Sequence, residues 1–209
     1  LRFQLEQLKV KNKHHDFEHL CRHLSRARIC SNVLPATGPI SAGGDQGRDF
    51  ETFRTHLQED LSNSEGFVGL TADAPIAFAC SLIAPNSVKS KIKNDVRSIT
   101  DVGQPVYEIH FFCVVDIPVA LRHELQDWAD TNHKVHLEIY DGQAIAEMLA
   151  ARDVFWIADR YLNVPAETFP KPPKDASEQW YAKLFQKWSK SEFSPSNYAD
   201  FSELRDAIR

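Results

Sequence analysis

The spacing of apolar residues changes several times along the chain, and each change predicts an element. Leu1 to Val10 alternates weakly at Phe3, Leu5, Leu8 and Val10, a pattern open to a short strand or a turn of helix. Asp16 then stands where a helix cap belongs. Phe17, Leu20, Cys21 and Leu24 follow at i, i+3, i+4 and i+7, so a helix with one buried face runs to about Arg28. Residues 35 to 48 carry two prolines and four glycines, which predicts an irregular loop. That loop delivers Asp49-Phe50-Glu51-Thr52-Phe53 as a strand or the start of a helix, and loops of such length are often functional.

Phe67 to Leu70 and Ile76 to Ala84 read as strands around the turn-like Thr71-Ala72-Asp73-Ala74-Pro75, and a hairpin is the expected pairing. Ser87 to about Ile99 has Val88, Ile92, Val96 and Ile99 as a helical stripe, with Lys89, Lys91, Lys93 and Arg97 giving it a basic exposed side. Val106 to Val115 becomes continuously apolar, as expected of a strand covered on both faces at the sheet centre. Pro118 opens a helix with Leu121, Leu125 and Trp128 on one face, and Val135, Leu137 and Ile139 alternate as a further strand. Strand, helix, strand in that order predicts a right-handed parallel crossover and an α/β fold. Asp141-Gly142 turns into a helix with Ile145, Met148 and Leu149 inward, and Val154 to Leu162 gives one more. Pro165, Pro170, Pro172 and Pro173 then make a stiff connector, and Trp180, Leu184 and Trp188 mark a helix beyond it. The expected division is a domain over residues 1–165 and a Pro-rich linker with the start of a helical segment over 166–209.

Composition narrows the partners. The 209 residues include 24 Lys and Arg against 29 Asp and Glu, a formal charge of -5, so any nucleic-acid contact must be local rather than a wholly basic coat. Four cysteines stand singly, with no disulfide framework or CxxC pair. No leader and no run near the roughly 18 apolar residues of a membrane span is readable, so a reducing cytoplasm and no membrane are expected. The chain opens with Leu1, has Met148 as its only methionine and stops inside the helix-like Phe201 to Arg209, which reads as a segment of a longer protein.

The stretch Gly43-Gly44-Asp45-Gln46-Gly47-Arg48-Asp49-Phe50-Glu51 carries the strongest chemical signal, with the strand Ile76-Ala77-Phe78-Ala79-Cys80-Ser81 and the Lys-rich helix after it. Phosphodiester hydrolysis uses Mg²⁺ (or Mn²⁺) held by carboxylates, because the ion polarises phosphate and acidifies an attacking water. A nearby lysine assists with charge or proton transfer. Carboxylate, strand and lysine in a small mixed sheet is the scheme of the PD-(D/E)xK nucleases. The order of these parts resembles the Mrr-type restriction endonuclease domains of that superfamily. Ala36-Thr37-Gly38-Pro39, Gly43 to Asp49, Phe78-Ala79-Cys80-Ser81 and Tyr140-Asp141-Gly142 resemble in particular the nuclease domains at the start of some bacterial antiphage STAND NTPases, over about residues 14 to 165.

The resemblance implies a restriction-endonuclease-like mixed β-sheet flanked by helices. It also implies double-stranded DNA as substrate, C-terminal sensor or NTPase domains in the same protein, and a possible homo-oligomer. Carried over by position, Asp49 matches the metal-binding aspartate and Glu18 the acid on the first helix, while alternation would set Glu51 on the side of Asp49. Where the family reads Gln-x-Lys, this chain reads Ala79-Cys80-Ser81, so Lys91 or Lys93 from the next helix must stand in or activity is lost. Lys89, Lys91, Lys93 and Arg97, with Arg22, Arg26 and Arg28, are the expected phosphate contacts. No recognition helix is readable, so contacts to backbone and shape are expected.

Plainer roles stand beside each of these: Asp49 as a turn residue paired with Arg48 or a neighbour, Glu18 as a surface partner of Arg22, and the lysines as a solvated face. Ser81 lacks a Gly-x-Ser-x-Gly turn, His14, His15, His19 and His23 lack a second half at zinc spacing, and Cys80 and Cys113 read as core cysteines. The rival to a nuclease is a catalytically inactive module that keeps the fold to bind nucleic acid or assemble a complex.

Overall fold

The computed structural model describes residues 1–35, 47–53, 74–101 and 105–168, all within a compact unit spanning Leu1–Phe169. The expected strand Phe67 to Leu70, most of the glycine-rich loop and nearly all of 166–209 lie outside the described residues. Six α-helices and five strands are seen among those that are described. In order they are α1 (Arg2–Val10), α2 (His14–Arg28), β1 (Val33–Pro35), β2 (Phe50–Thr52), β3 (Ile76–Ser81), α3 (Val88–Asp101), β4 (Glu108–Cys113), α4 (Val119–His133), β5 (His136–Tyr140), α5 (Gly142–Leu149) and α6 (Phe155–Leu162). The fold is α/β, with a five-stranded mixed sheet flanked by helices.

The sheet runs β1-β2-β3-β4-β5. β2 is antiparallel to β1 and β3, whereas β4 and β5 continue parallel to β3. β3 is therefore the middle strand and β4 its inner neighbour, one place from the predicted centre. β4 is nonetheless covered as its sequence demands, with Ile109 to Cys113 all buried. Among the described strands β3 pairs with β2 and β4, and the expected hairpin with Phe67 to Leu70 lies outside the described residues.

The ambiguous start is a helix. Leu5 and Leu8, three apart, are buried while Phe3 and Val10 stay exposed, which a strand reading would not produce. Asp141 caps α5 by accepting the Ala144 N–H at 3.0 Å, as its place before Gly142 predicts. It also takes a hydrogen bond from Arg122 at 2.8 Å, tying α4 to the end of β5.

The connections β3–α3–β4 and β4–α4–β5 join parallel strands, so the handedness rule puts α3 and α4 on one face, where they pack together. The helices α1, α2, α5 and α6 pack among themselves, with α2 against β1 and β3 and α5 against β4 and β5. Across the sheet a row of stacked rings joins β2 to β5. Centroids are 4.7 Å apart for Phe50 and Phe78, 5.1 Å for Phe78 and His110, 5.7 Å for His110 and Tyr140, and 4.7 Å for Tyr140 and Phe112. The rows at Phe50, Phe78 and His110 follow strand register, so packing on this face fixes the pairing that places Asp49.

Candidate functional site

Asp49 stands immediately before β2, where the chain leaves the loop. Its amide donates to the Phe78 carbonyl at 2.9 Å, and its Oδ2 accepts the Cys80 N–H at 2.5 Å. The carboxylate thus serves a β3 amide beyond the last register pair of β2, and its orientation is fixed by the backbone of the middle strand. Gly47 makes this approach possible. Its φ is +80°, and a Cβ there would lie 3.1 Å from the Ser98 Cβ and 3.3 Å from the Asp95 carbonyl oxygen, so the chain can run along α3 only without a side chain.

Glu18 approaches from α2. The expected pair with Arg22 is absent among the described residues: Glu18 Oε2 lies 3.3 Å from His15 Nδ1, and Arg22 Nη2 sits 2.7 Å from His19 Nδ1. Instead Glu18 and Asp49 act on the same two thiols. Burial pushes the pKa values of Cys21 on α2 and Cys80 on β3 up, and the charges of Asp49 and Glu18 add smaller rises in the same direction. Asp49 stands before β2, which pairs with β3, and Glu18 lies on α2, which packs against β3, so both charges act on these two thiols. Glu51 is drawn elsewhere: its Oε2 accepts from the buried Arg48 guanidinium at 2.8 Å, and Arg48 also donates to the Ile99 carbonyl at 3.1 Å.

The basic side predicted for α3 is exposed at Lys89 and Arg97 and partly covered at Lys91 and Lys93, and its cations are engaged by neighbouring groups. Lys89 Nζ is 2.6 Å from Glu124 Oε1, Lys93 Nζ is 3.8 Å from the same atom and 4.9 Å from the Trp128 ring centre, and Arg97 lies 5.6 Å from that ring. Packing on α4 occupies these three because Glu124 and Trp128 face α3. Lys91 is different. Its Nζ is 2.7 Å from Asp95, a buried acid whose Cα lies 3.6 Å from the position a Cβ would take on Gly47. Lys91 is thus the α3 lysine joined, through Asp95, to the segment that carries Asp49.

Sequence reasoning missed Asp95, although a signal was there. It falls on the apolar stripe of α3, between Ile92 and Val96, where an acid is out of pattern. At the position of the family lysine, Ser81 is buried in register with Cys113, and Ala79 is buried too, so neither offers a side chain to a substrate. A groove of about 600 Å³ lined by Arg2, Glu6, Lys9, Pro85, Val114 and Asp116 among others contains none of the predicted site residues.

No group of three or more His, Cys, Asp or Glu that could hold a metal ion is found among the described residues. His19 and His23 stack on Tyr161. In donor chemistry, Asp49 and Glu18 are carboxylates of the kind a hard cation such as Mg²⁺ takes, one or two at a time with water and phosphate oxygen completing its shell. No helix among the described residues is long and apolar enough to cross a membrane. The chain matches no protein-family model, no curated protein and no solved structure.

Proposed function

We propose that residues 1–165 form a restriction-endonuclease-like, metal-dependent DNA endonuclease domain of a larger bacterial defence protein in the cytoplasm. Residues 166–209 lead on to its sensor or NTPase domains. The observation that carries this reading is the Asp49 carboxylate held at the head of β2 by the Cys80 amide of β3, with Lys91 tied through Asp95 to the Gly47 segment that leads into it. The order of parts supports it: an acid on the helix before the sheet, an aspartate at the head of a strand, the next strand, then a basic helix.

A Mg²⁺ or Mn²⁺ ion supplies Lewis acidity to the phosphate and acidifies a water. The chain's own contribution is positioning. The Cys80 amide orients Asp49, Glu18 is offered as the second carboxylate from α2, which packs against β3, and Lys91, anchored on Asp95, supplies positive charge beside the Gly47–Asp49 segment. Glu51 holds Arg48 in place against α3. With no recognition helix, double-stranded DNA is gripped through its backbone with little sequence readout.

The test is cleavage of supercoiled plasmid by the full protein in Mg²⁺, Mn²⁺ and EDTA, with Asp49→Ala alongside. Metal-dependent nicking lost in the variant supports the reading, and no cutting by the activated protein overturns it. A second reading, an inactive module for nucleic-acid binding or complex assembly, is favoured by one observation. The family lysine position is the buried Ser81, and Lys93 is engaged with α4.

A further inference from the structure

On the outer side of α2, where it packs on α6, arginines and aromatic rings are interleaved. His19 and His23 stack on Tyr161 at 6.3 and 5.8 Å, and His23 meets Trp156 edge to face at 5.1 Å. Arg160 lies over the Tyr161 ring at 5.5 Å. Arg22 contacts His19, and Arg26 donates through Nε and Nη2 to the Val33 carbonyl.

Among the described residues none of Arg22, Arg26 and Arg160 forms an ion pair with a carboxylate, in contrast to Lys89, Lys91 and Lys93 of α3. Arg22 Nε is buried without a hydrogen-bond partner among those residues. A guanidinium taken partly out of water with no acceptor for one of its N–H groups is unfavourable unless an anion comes to it. The field is uniform enough to act on a neighbour. His23 is pushed below its ordinary pKa by burial first, then by Arg22, Arg26, Arg160 and His19, all basic groups.

The aromatic component sets what kind of anion fits. Trp156 is 46% exposed, an unusual state for an indole, and it stands beside this unneutralised positive charge. Arginines that neutralise successive phosphates, next to an exposed ring that stacks a base, are the parts of a groove for unpaired nucleic acid. In a continuous duplex the bases are stacked on one another and not offered to an indole. The ridge also lies one turn along α2 from Glu18, with Arg22 at i+4, so a strand held there runs towards the proposed carboxylate site.

We infer that the α2–α6 ridge, through Arg22, Arg26, Arg160 and Trp156, binds the backbone and an unpaired base of a DNA strand, whereas Lys89 and Arg97 of α3 do not. This deepens the reading of the domain as a DNA-acting protein but does not depend on hydrolysis, so it is tested without metal.

The experiment measures binding of a fluorescein-labelled single-stranded oligonucleotide, and of the same sequence as a duplex, to the full chain in EDTA over a salt series. Arg22→Gln/Arg160→Gln spares the Arg26–Val33 contact, and unchanged thermal melting confirms that it folds. It is expected to weaken single-strand binding about tenfold or more and to flatten the log–log salt slope by about one to two. Trp156→Ala, at an exposed position, is expected to weaken single-strand binding while leaving any duplex binding in place. Lys89→Gln/Arg97→Gln is expected to change neither. Tighter binding to duplex than to single strand, unchanged affinity in the ridge variants, loss only in the α3 variant, or wild-type binding to phosphatidylserine vesicles without binding to DNA would each overturn the assignment. Failure of plasmid cutting with ridge-dependent binding intact would count against the nuclease reading alone.

Discussion

The Asp49 carboxylate and the Cys80 amide form one unit: Oδ2 accepts the β3 N–H at 2.5 Å, so the acid best placed for chemistry also closes the sheet at that point. The two roles can be separated. Asp49→Asn keeps an oxygen for the Cys80 N–H and removes the charge, whereas Asp49→Ala leaves the amide without that acceptor. The alanine variant should lose about 1–3 kcal/mol of stability, with the asparagine variant close to wild type in denaturant melts. Both should be inactive in plasmid cleavage. An active Asp49→Asn protein would show that the residue is structural only.

Whether Glu18 shares the surroundings of Asp49 can be read without any activity. Both charges raise the Cys80 and Cys21 pKa values beyond what burial does. Glu18→Gln should therefore raise the thiolate fraction and speed alkylation of Cys80 by iodoacetamide at mildly alkaline pH, with rates followed by mass spectrometry. Cys113, pushed up to about 12 first by burial and then by Asp141, is the internal control and should be unaffected. An unchanged Cys80 rate would place Glu18 outside the site.

His110 gives the domain a defined acid sensitivity. It lies between Phe78 and Tyr140, its Nδ1 3.2 Å from the Tyr140 hydroxyl, and burial, followed by the charge of His136, lowers its pKa to about 4. Glu108 Oε1 is 3.1 Å from Nε2 but at an angle that makes no hydrogen bond, and burial outweighs its attraction. The unfolded imidazole titrates near 6.5, so between about 6.5 and 4 the unfolded chain binds the extra proton. Stability from this group is full above about 6.5 and falls as pH drops towards 4, by a total on the order of 3 kcal/mol. Urea melts of wild type and His110→Phe across that range should show a shallower pH dependence in the variant. Parallel slopes would contradict this account.

How legible each part was depended on whether its signal was local. α2, α3, α4 and β5 announce themselves because apolar spacing on one element is decided by that element's own burial, as Phe17, Leu20, Cys21 and Leu24 all being buried illustrates. The position of β4 was read one place out, since apolar content reports coverage of both faces and not the number of strands on each side. At the site, Asp49 was legible because a glycine-rich loop before a strand is a local feature. Asp95 and the Arg48–Ile99 contact were not, because they depend on α3 crossing the loop segment, an approach between residues 47 and 95 that no local spacing encodes.

That same contact separates the two candidate lysines. Lys91 is held by the buried Asp95 beside Gly47, whereas Lys93 points to Glu124 and the Trp128 ring. Lys91→Met should leave the Asp95 carboxylate without this partner. Because the lysine is 39% exposed, the stability loss should be modest, about 1 kcal/mol or less. If Lys91 supplies the positive charge, cutting should fall by two orders of magnitude or more, about 3 kcal/mol of transition-state stabilisation. Lys93→Met should cut normally and lose only its contacts with α4. Lys91→Arg keeps the ion pair with Asp95, so it should restore stability while restoring activity only in part. Equal loss of cutting in the Lys91 and Lys93 variants would move the positive charge elsewhere, and full activity in both would remove α3 from the chemistry.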